Sequence, residues 1–261
     1  MYRNVIYYFS GTGNSLKAAR DIAAALGDTE LIPMQGSPSP GEGYERMGFV
    51  FPCYAAGMPK AAAAFLQALP LAPDCADYVF GVVTCNDSPG NALPMLQEIL
   101  QKKGLALDYG NAVETVGNYI VLYPVESSFM QQSLDLTLEA ADKKTAEIAA
   151  QIQHGSRLPA AKKKLPFSVF YGLGNQYFKM MERRFQVSAG CTGCELCARL
   201  CPVENIKMQN GKPQFLHRNC ANCMACIQWC PMQAIDCGTK TQDRKRYRHP
   251  DIKAKDLVIQ K

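Results

Sequence analysis

Apolar and polar positions along the first 154 residues alternate in a way that predicts an α/β fold. Short runs of β-forming residues predict strands over residues 4–9, 30–33, 47–51, 78–84 and near 112–116. Between them, apolar residues recur at helical intervals and predict helices over residues 16–26, 60–69, 91–103 and about 131–153. Strands that alternate with helices are typical of a five-stranded, doubly wound parallel sheet.

After this sheet the pattern changes to a linker, a helix and a cysteine-rich segment. Residues 154–166 are rich in Gly, Pro and Lys and predict a linker in which Lys162-Lys163-Lys164 is solvated. Phe178, Met181 and Phe185 form a helical stripe, which we interpret as packing between domains rather than as a cofactor site. The predicted division is a sheet domain over residues 1–154, a linker and packing helix over 155–185, a cysteine-rich domain over 186–238 and a basic tail over 239–261.

Two cysteine runs with identical spacing dominate the candidate chemistry. Each reads C-x2-C-x2-C-x3-C-P, and an offset of 29 residues maps the first run onto the second. Bacterial ferredoxins use this spacing for 4Fe-4S clusters: three thiolates hold one cluster and the fourth ligates its neighbour. The predicted ligand sets are Cys191, Cys194, Cys197 and Cys230 for one cluster, and Cys220, Cys223, Cys226 and Cys201 for the other.

A pair of zinc sites is the alternative, since two C-x2-C pairs can supply four thiolates. Zinc has no use for a third Cys at the next interval or for Pro after the fourth, so the spacing favours iron–sulfur clusters. The repeat extends to residues 206–208 and 235–237, which alternate as strands do, and Cys237 is therefore predicted to pack inward. Residues 186–238 resemble the bacterial-type 2x4Fe-4S ferredoxin fold, a small α+β domain with two clusters.

A Gly-rich turn, Ser-Gly-Thr-Gly-Asn-Ser over residues 10–15, follows the first predicted strand. Strand, turn and helix together predict an anion cradle, because the turn frees backbone N–H groups and the helix start is electropositive. The turn lacks the G-x-G-x-x-G of dinucleotide sites and the Lys of a P-loop. It matches S/T-x-T-G-x-S/T and so resembles the FMN phosphate loop of flavodoxins. The resemblance implies phosphate contacts from Ser10, Thr12, Gly13, Asn14 and Ser15.

The five strands and this loop suggest the flavodoxin strand order 2-1-3-4-5, with ligand loops at the carboxyl ends of strands one, three and four. Small residues after strand three let a flat ligand approach, and Tyr54 can stack on it; a surface Tyr in a Pro-bounded turn is the alternative. The loop after strand four resembles a second ring-binding loop, although flavodoxin-like fusions often carry Gly near Asn86. The predicted ring contacts are Pro52, Tyr54, Ala55, Gly57, Thr84, Asn86, Gly90 and Tyr119.

Cys53 and Cys85 fall in these two ligand loops, and no catalytic residue is predicted among them. No His accompanies either thiol, because His154, His217 and His249 lie outside the body of the sheet domain. We therefore expect both cysteines to pack rather than to act as nucleophiles. The single Trp, Trp229, lies in the second cysteine run and can reach a ligand of the sheet domain only where the two domains meet.

Composition narrows the classes further. The chain has 261 residues and 48% apolar content, which supports two domains with a sizeable core. The first residues do not resemble a signal peptide and no run approaches about 18 apolar residues, so we expect no membrane span and a reducing cytoplasm, that of an anaerobe.

The formal charge of +5 falls to about +1 once thiolates and cluster cores are counted. Nucleic acid is therefore not an expected partner, and the tail around Tyr247 is expected to be a solvated strap or a docking patch for an acidic partner.

Taken whole, the chain resembles the flavodoxin and 4Fe-4S ferredoxin fusions of anaerobic bacteria and archaea. The resemblance implies FMN and two 4Fe-4S clusters as cofactors. It also implies electron transfer, in which single electrons pass between the clusters and FMN and on to a redox partner protein. Two alternatives stay open: an FMN-dependent reductase of a small organic acceptor whose flavin the clusters reload, and an iron–sulfur redox sensor without flavin.

Overall fold

A five-stranded parallel sheet forms the first part of the computed structural model, which describes residues 3–36, 43–126 and 133–258. Neighbouring strands follow the order β2-β1-β3-β4-β5, all parallel. This is the flavodoxin-like doubly wound order, so the predicted fold class is confirmed. The strands are β1 (Asn4–Tyr8), β2 (Thr29–Pro33), β3 (Tyr44–Pro52), β4 (Ala76–Cys85) and β5 (Tyr109–Glu114).

Four helices connect or cover these strands: α1 (Asn14–Leu26), α2 (Lys60–Ala68), α3 (Ala92–Gln101) and α4 (Leu134–Gln153). Strand β1 is buried along its whole length, because helices cover both faces of the sheet. The Ser133 hydroxyl accepts a hydrogen bond of 3.2 Å from the amide of Leu136 and caps α4. The first residues of the predicted helix, 131 and 132, lie outside the described residues. The fifth strand begins at Tyr109, three residues before the predicted region, because Gly110 and Asn111 dilute its apolar pattern.

Helix α5 (Leu165–Glu182) follows the linker and is fixed at its start to the loop between β4 and α3. The Asn91 side chain donates to the carbonyl of Lys164 at 2.9 Å and to the hydroxyl of Ser168 at 3.0 Å. Met181 is buried at the end of this helix. The predicted helical stripe ends there, since Phe185 lies in the next strand and not in the helix.

The cysteine-rich domain consists of two antiparallel strand pairs and two single-turn helices. Strand β6 (Phe185–Val187) pairs with β9 (Ile235–Cys237), and β7 (Ile206–Gln209) pairs with β8 (Lys212–Phe215). The short helices are α6 (Leu196–Arg199) and α7 (Ala225–Gln228). Cys237 is fully buried, as its place in the alternating pattern predicts.

The 29-residue repeat is visible in the backbone of this domain. Residues with positive φ occur in equivalent pairs, at 71° and 50° for Gly193 and Asn222, and at 63° and 60° for Glu195 and Met224. Left-handed backbone costs a residue with a side chain about 1–2 kcal/mol. The second run keeps the left-handed backbone at Asn222 and Met224. The loop therefore has the same shape even though Asn222 stands where the first run has Gly193.

Residues of the two domains are buried together in two hydrophobic clusters. Cys223, Ala225 and Trp229 of the second cysteine run are buried in the same apolar cluster as strands β1 and β3, and Ile252 of the tail joins them. The sheet domain and the cysteine-rich domain are therefore packed against each other and are not connected by the linker alone. None of the helices in the described part of the chain combines the length and apolar character needed to cross a bilayer.

Candidate cofactor sites

A cavity of about 520 Å3, which we call the sheet-edge cavity, opens at the carboxyl ends of β1, β3, β4 and β5. Parallel strands present their ligand loops at this edge. The predicted contacts that line it are Ser10, Thr12, Asn14, Ser15, Pro52, Tyr54, Ala55, Thr84, Asn86 and Tyr119. The structure thus brings most of the predicted flavin contacts into one cavity.

Three predicted glycines stand behind the wall of this cavity instead of lining it. A Cβ on Gly13 would lie 2.8 Å from the Cβ of His249, and one on Gly90 would lie 2.4 Å from the carbonyl oxygen of Ala56. At Gly57 the added atom would lie 2.4 Å from the ring of Tyr171. These glycines shape the loops because only a hydrogen fits at each position.

Residues 10–15, which we call the phosphate loop after its predicted role, are held in shape by hydrogen bonds of their hydroxyls. The Ser10 hydroxyl accepts from the amide of Gly13 at 3.2 Å, and the hydroxyls of Ser15 and Thr84 are 2.7 Å apart. Thr12 accepts from the side-chain amide of Asn118. Helix α1 begins here with neither a side-chain cap nor an acidic residue in its first turn. The free amides and the positive helix end fit a phosphate group.

The side chain of Asn14 is hydrogen-bonded at both of its polar atoms to other parts of the protein. Its amide nitrogen donates to the carbonyl of Val116 at 3.0 Å, and its oxygen accepts a hydrogen bond of 2.7 Å from the Tyr247 hydroxyl. Asn14 therefore ties the phosphate loop to the strand β5 loop and to the tail.

Aromatic side chains form part of the lining of the sheet-edge cavity. Tyr54 stands on a tight turn in which it exchanges backbone hydrogen bonds of 2.8 and 3.0 Å with Gly57. The two residues between them, Ala55 and Ala56, have φ values of 47° and 61°. Such left-handed alanines are strained, and strained backbone concentrates at ligand sites.

Helix α5 supplies a wall that the sequence pattern did not reveal. Phe170, Leu173, Tyr177 and Phe178 line the cavity, and the rings of Phe178 and Tyr119 are 4.9 Å apart. The interpretation of Phe178 as a domain-packing residue only is thus incomplete. Phe170 and Leu173 are 60% and 67% exposed, so they form an apolar rim at the mouth.

The two thiols of the ligand loops remain neutral. Burial raises the pKa of Cys53 and of Cys85 to about 12. The Cys53 thiol donates to the carbonyl of Pro89 at 3.3 Å. A protonated, hydrogen-bonded thiol is a poor nucleophile, in agreement with the expected packing role.

Two smaller pockets gather the eight cysteines of the runs. Each pocket takes three cysteines from one run and the fourth from the other, and its remaining lining is mostly apolar. We call them the first quartet (Cys191, Cys194, Cys197, Cys230) and the second quartet (Cys201, Cys220, Cys223, Cys226). Among residues 3–36, 43–126 and 133–258, no three His, Cys, Asp or Glu side chains are arranged to hold a single metal ion. Each quartet supplies four thiols, the number that one 4Fe-4S cubane takes.

Backbone amides point at the sulfurs in matching places of the repeat. The amide of Asn205 donates to the sulfur of Cys201 at 3.2 Å, and that of Ala234 donates to the sulfur of Cys230 at 3.3 Å. Hydrogen bonds to ligand sulfurs and burial tune the potentials of iron–sulfur clusters. The residues present therefore fit two 4Fe-4S clusters.

The second quartet lies against the sheet-edge cavity. A Cβ on Gly11 would lie 2.2 Å from the carbonyl oxygen of Cys223, so the two backbones are in contact. The Tyr119 hydroxyl donates to the side chain of Asn222 at 3.4 Å. In the first quartet, Cys194 is exposed to solvent. The quartets thus form a sequence from the surface to the cavity.

The tail is not the solvated strap that its charge suggests. Tyr247 and His249 are buried, and the amide of His249 donates to the carbonyl of Thr12 at 2.9 Å. Its basic residues are paired within the protein: Arg246 lies 2.6 Å from Asp236, and the Arg248 guanidinium is 5.6 Å from the centre of the Trp229 indole. The tail therefore covers the outside of the phosphate loop, and His249 belongs to this domain after all.

Comparison with known proteins matches one segment of the chain to a protein family. Residues 190–234 match the model of the 4Fe-4S dicluster domain. The chain joins a flavodoxin-like domain to a 4Fe-4S dicluster domain. The strand order establishes the first of these parts, and the matched cysteine runs establish the second. No curated protein matches the chain.

Solved structures resemble the flavodoxin-like domain at low identity. A flavoprotein from Lactobacillus acidophilus in complex with FMN is 13% identical and covers 43% of this chain and 93% of its own, with a TM-score of 0.35. The Megasphaera elsdenii flavodoxin is 18% identical over 57% of this chain and 98% of its own, with a TM-score of 0.36. An FMN-dependent NADH-azoreductase from Bacillus anthracis is 9% identical over 58% of this chain and 99% of its own, with a TM-score of 0.40.

Proposed function

We propose that the protein relays single electrons between two 4Fe-4S clusters and FMN, and on to a redox partner protein. When bound, each cluster exchanges one electron at a time, whereas a flavin exchanges either one or two. The observation that supports the proposal is the backbone contact between Gly11 of the phosphate loop and Cys223 of the second quartet. It supports the proposal because the residues that would hold the two kinds of cofactor lie side by side.

The residues of the chain divide the work of such a relay. The phosphate loop and the first turn of α1 would hold the FMN phosphate, and Tyr54 and Tyr119 would border its ring. The first quartet, with exposed Cys194, would hold the cluster that meets a partner, and the second quartet would hold the cluster beside the flavin. Burial and amide-to-sulfur hydrogen bonds would set the potentials of both clusters. No acid or base is required.

Anaerobic purification with iron, sulfide and flavin measured per chain tests this proposal. We expect about eight irons and one FMN per chain, since each cubane holds four irons. A reductive titration should then show electrons entering both types of cofactor. Zinc in place of iron would contradict the relay, and clusters without FMN after gentle isolation would leave the redox-sensor alternative instead.

The apolar rim of the sheet-edge cavity favours one second candidate, an FMN-dependent reductase of a small organic acceptor. Leu122, Phe170 and Leu173 are 54%, 60% and 67% exposed at the mouth, where a flat acceptor could cover a bound ring. A water-soluble quinone with a reduced viologen as donor distinguishes the two functions. A reductase gives a rate that saturates with quinone and falls in Leu173→Asp, whereas a carrier gives a rate that rises linearly and does not respond.

A further inference from the structure

A second cavity of about 630 Å3 lies on the other side of Tyr54 from the sheet-edge cavity. We call it the side cavity; helices α2 and α5 and the loop that begins the second cysteine run form its walls. Its volume is within the range of small-molecule sites, about 300–1,000 Å3. The electron relay assigns no role to it.

The floor of the side cavity is apolar. It is lined by one face of α2, by the rings of α5 and by Met34 before them. The Tyr171 hydroxyl already has a protein partner, since it donates to the carbonyl of Met58 at 2.9 Å. The residues of this floor are Met34, Met58, Ala61, Ala64, Phe65, Ala68, Tyr171 and Phe178.

The rim of the side cavity is positively charged. Lys60, Lys179 and Arg218 line it and are exposed, and none of the ion pairs in the described residues involves them. Glu182 is the single carboxylate of the described lining; its side chain is 6% exposed and accepts from the Asn205 amide at 3.2 Å. The cations therefore outnumber the carboxylate and are free to bind an anion.

Helix α2 strengthens this preference for an anion. It begins at Lys60 after Pro59, with neither a side-chain cap nor an acidic residue in its first turn. Lys60 and Ala61 of that turn line the side cavity. The first amides of a helix have no partner within it, and its N-terminus carries a partial positive charge.

We propose that the side cavity binds an organic carboxylate with an apolar body, beside the second quartet. The carboxylate would lie at the basic rim and the start of α2, and the apolar body would cover the α2 and α5 floor. Pro202, Cys220 and Asn222 line the opposite wall, so the ligand would be a neighbour of the second cluster. Binding at this site does not require that the relay operate.

Calorimetric titration of the anaerobically purified holoprotein with 3-phenylpropionate tests the site, with 3-phenylpropionamide as the neutral match. We expect the acid to bind at least about tenfold more tightly than the amide. The triple variant Lys60→Gln, Lys179→Gln and Arg218→Gln should lose about tenfold in affinity for the acid. Lys102→Gln, an exposed lysine at the end of α3, is the control and should leave affinity unchanged. Equal binding of acid and amide, or an unaffected triple variant, would overturn the proposal.

A steric variant and a smaller anion test the apolar part separately. Ala64 is exposed on α2, so Ala64→Trp should fold, fill the floor and abolish binding of 3-phenylpropionate while all three cations remain. Acetate should bind at least about tenfold more weakly than 3-phenylpropionate. Acetate binding as tight as that of the longer acid would overturn the apolar part. Iron and FMN contents are measured in every sample. Absence of the cofactors that the relay needs is then distinguished from absence of ligand binding at the side cavity.

Discussion

The indole Nε1 of Trp229 donates a hydrogen bond of 2.9 Å to the carbonyl oxygen of Gly11, which lies 218 residues earlier in the chain. Trp229 belongs to the second cysteine run and Gly11 to the phosphate loop. The bond is buried, so water does not compete with it. It fixes the predicted phosphate site directly to the dicluster domain, and several predictions test how closely the two are coupled.

Trp229→Phe keeps an aromatic ring but removes the N–H donor and part of the buried ring volume. The carbonyl of Gly11 then loses its indole partner in a buried position, which costs about 1–3 kcal/mol in the free energy of unfolding. We expect FMN to bind about three- to tenfold more weakly, because the phosphate loop is less well fixed. Quenching of FMN fluorescence during titration measures this affinity. An unchanged affinity together with unchanged stability would show that the bond does not support the loop.

Gly11→Ala tests the backbone contact between the phosphate loop and the second quartet. The added Cβ would lie 2.2 Å from the carbonyl oxygen of Cys223, so the two loops must separate. Overpacking of this kind costs about 1–3 kcal/mol. We expect a lower FMN content and a slower transfer of electrons from clusters to flavin in stopped-flow reduction.

Gly172→Ala is the matched control for that substitution. Gly172 lies within α5 and a Cβ there would contact nothing within 4 Å. Alanine is favoured over glycine in a helix by about 1 kcal/mol, so the control should be slightly more stable, with wild-type cofactor content. If both alanine variants behave alike, the Gly11 contact has no special role.

The packing of His249 predicts a pH dependence of stability. Burial lowers the pKa of His249 below its usual value of 6.5, although Asp251, Asp142 and Asp21 oppose the shift and Lys17 adds to it. The Nδ1 atom accepts from the amide of Asp251 at 3.3 Å, which requires the neutral ring. The unfolded chain then binds the proton more readily, so this stabilisation is complete above about pH 6.5 and is lost as the pH falls through the folded pKa.

Thermal unfolding of the holoprotein at pH 7.5 and pH 5.5 measures this effect. Each unit of pKa difference is worth about 1.4 kcal/mol, so the midpoint should drop by several degrees at the lower pH. His249→Asn removes the titrating ring and should reduce the drop, whereas His154→Asn, at an exposed site, should leave it as in the wild type. An equal drop in all three proteins would rule out His249 as the group responsible.

Cys230 and Cys237 distinguish ligand from packing thiols. Cys230 belongs to the first quartet, whereas the Cys237 thiol is fully buried and donates to the carbonyl of Met181 at 3.5 Å. Cys230→Ala should lower the iron content by up to about four per chain, since one cubane loses a ligand. Cys237→Ala should keep the full iron content and cost about 1 kcal/mol in stability. If Cys237→Ala lost iron and Cys230→Ala did not, Cys237 would be the ligand and Cys230 the packing thiol.

Local patterns carried most of what could be predicted. The face of α4 is read from its period, and Leu138, Ala141, Ile148 and Ile152 are indeed buried. The strand order follows from alternating strands and helices with a Gly-rich turn after the first. The assignment of the cysteines to two quartets follows from the spacing that bacterial ferredoxins use, and each quartet lines one pocket. In each case the signal lies within a few tens of residues.

Contacts between distant segments could not be predicted. Nothing near Asn14 shows that its side chain bonds Tyr247, 233 residues later, and a basic tail resembles a solvated one until its partners are known. Phe170 and Leu173 line the sheet-edge cavity, yet exposed apolar residues on a helix are ordinary in sequence. The path of α5 across the sheet edge decides their role, and that path depends on the whole fold.

The tail across the phosphate loop limits how such a protein can be recombined. Tyr247 and His249 follow both cysteine runs in the chain, and yet they are hydrogen-bonded to Asn14 and Thr12 near its start. A chimera that exchanges the dicluster domain and tail for those of another protein would also remove the covering of the phosphate loop. The two domains can therefore be transplanted only together with the contacts between the tail and the phosphate loop. We expect substitutions on the two sides of these contacts to compensate one another during evolution.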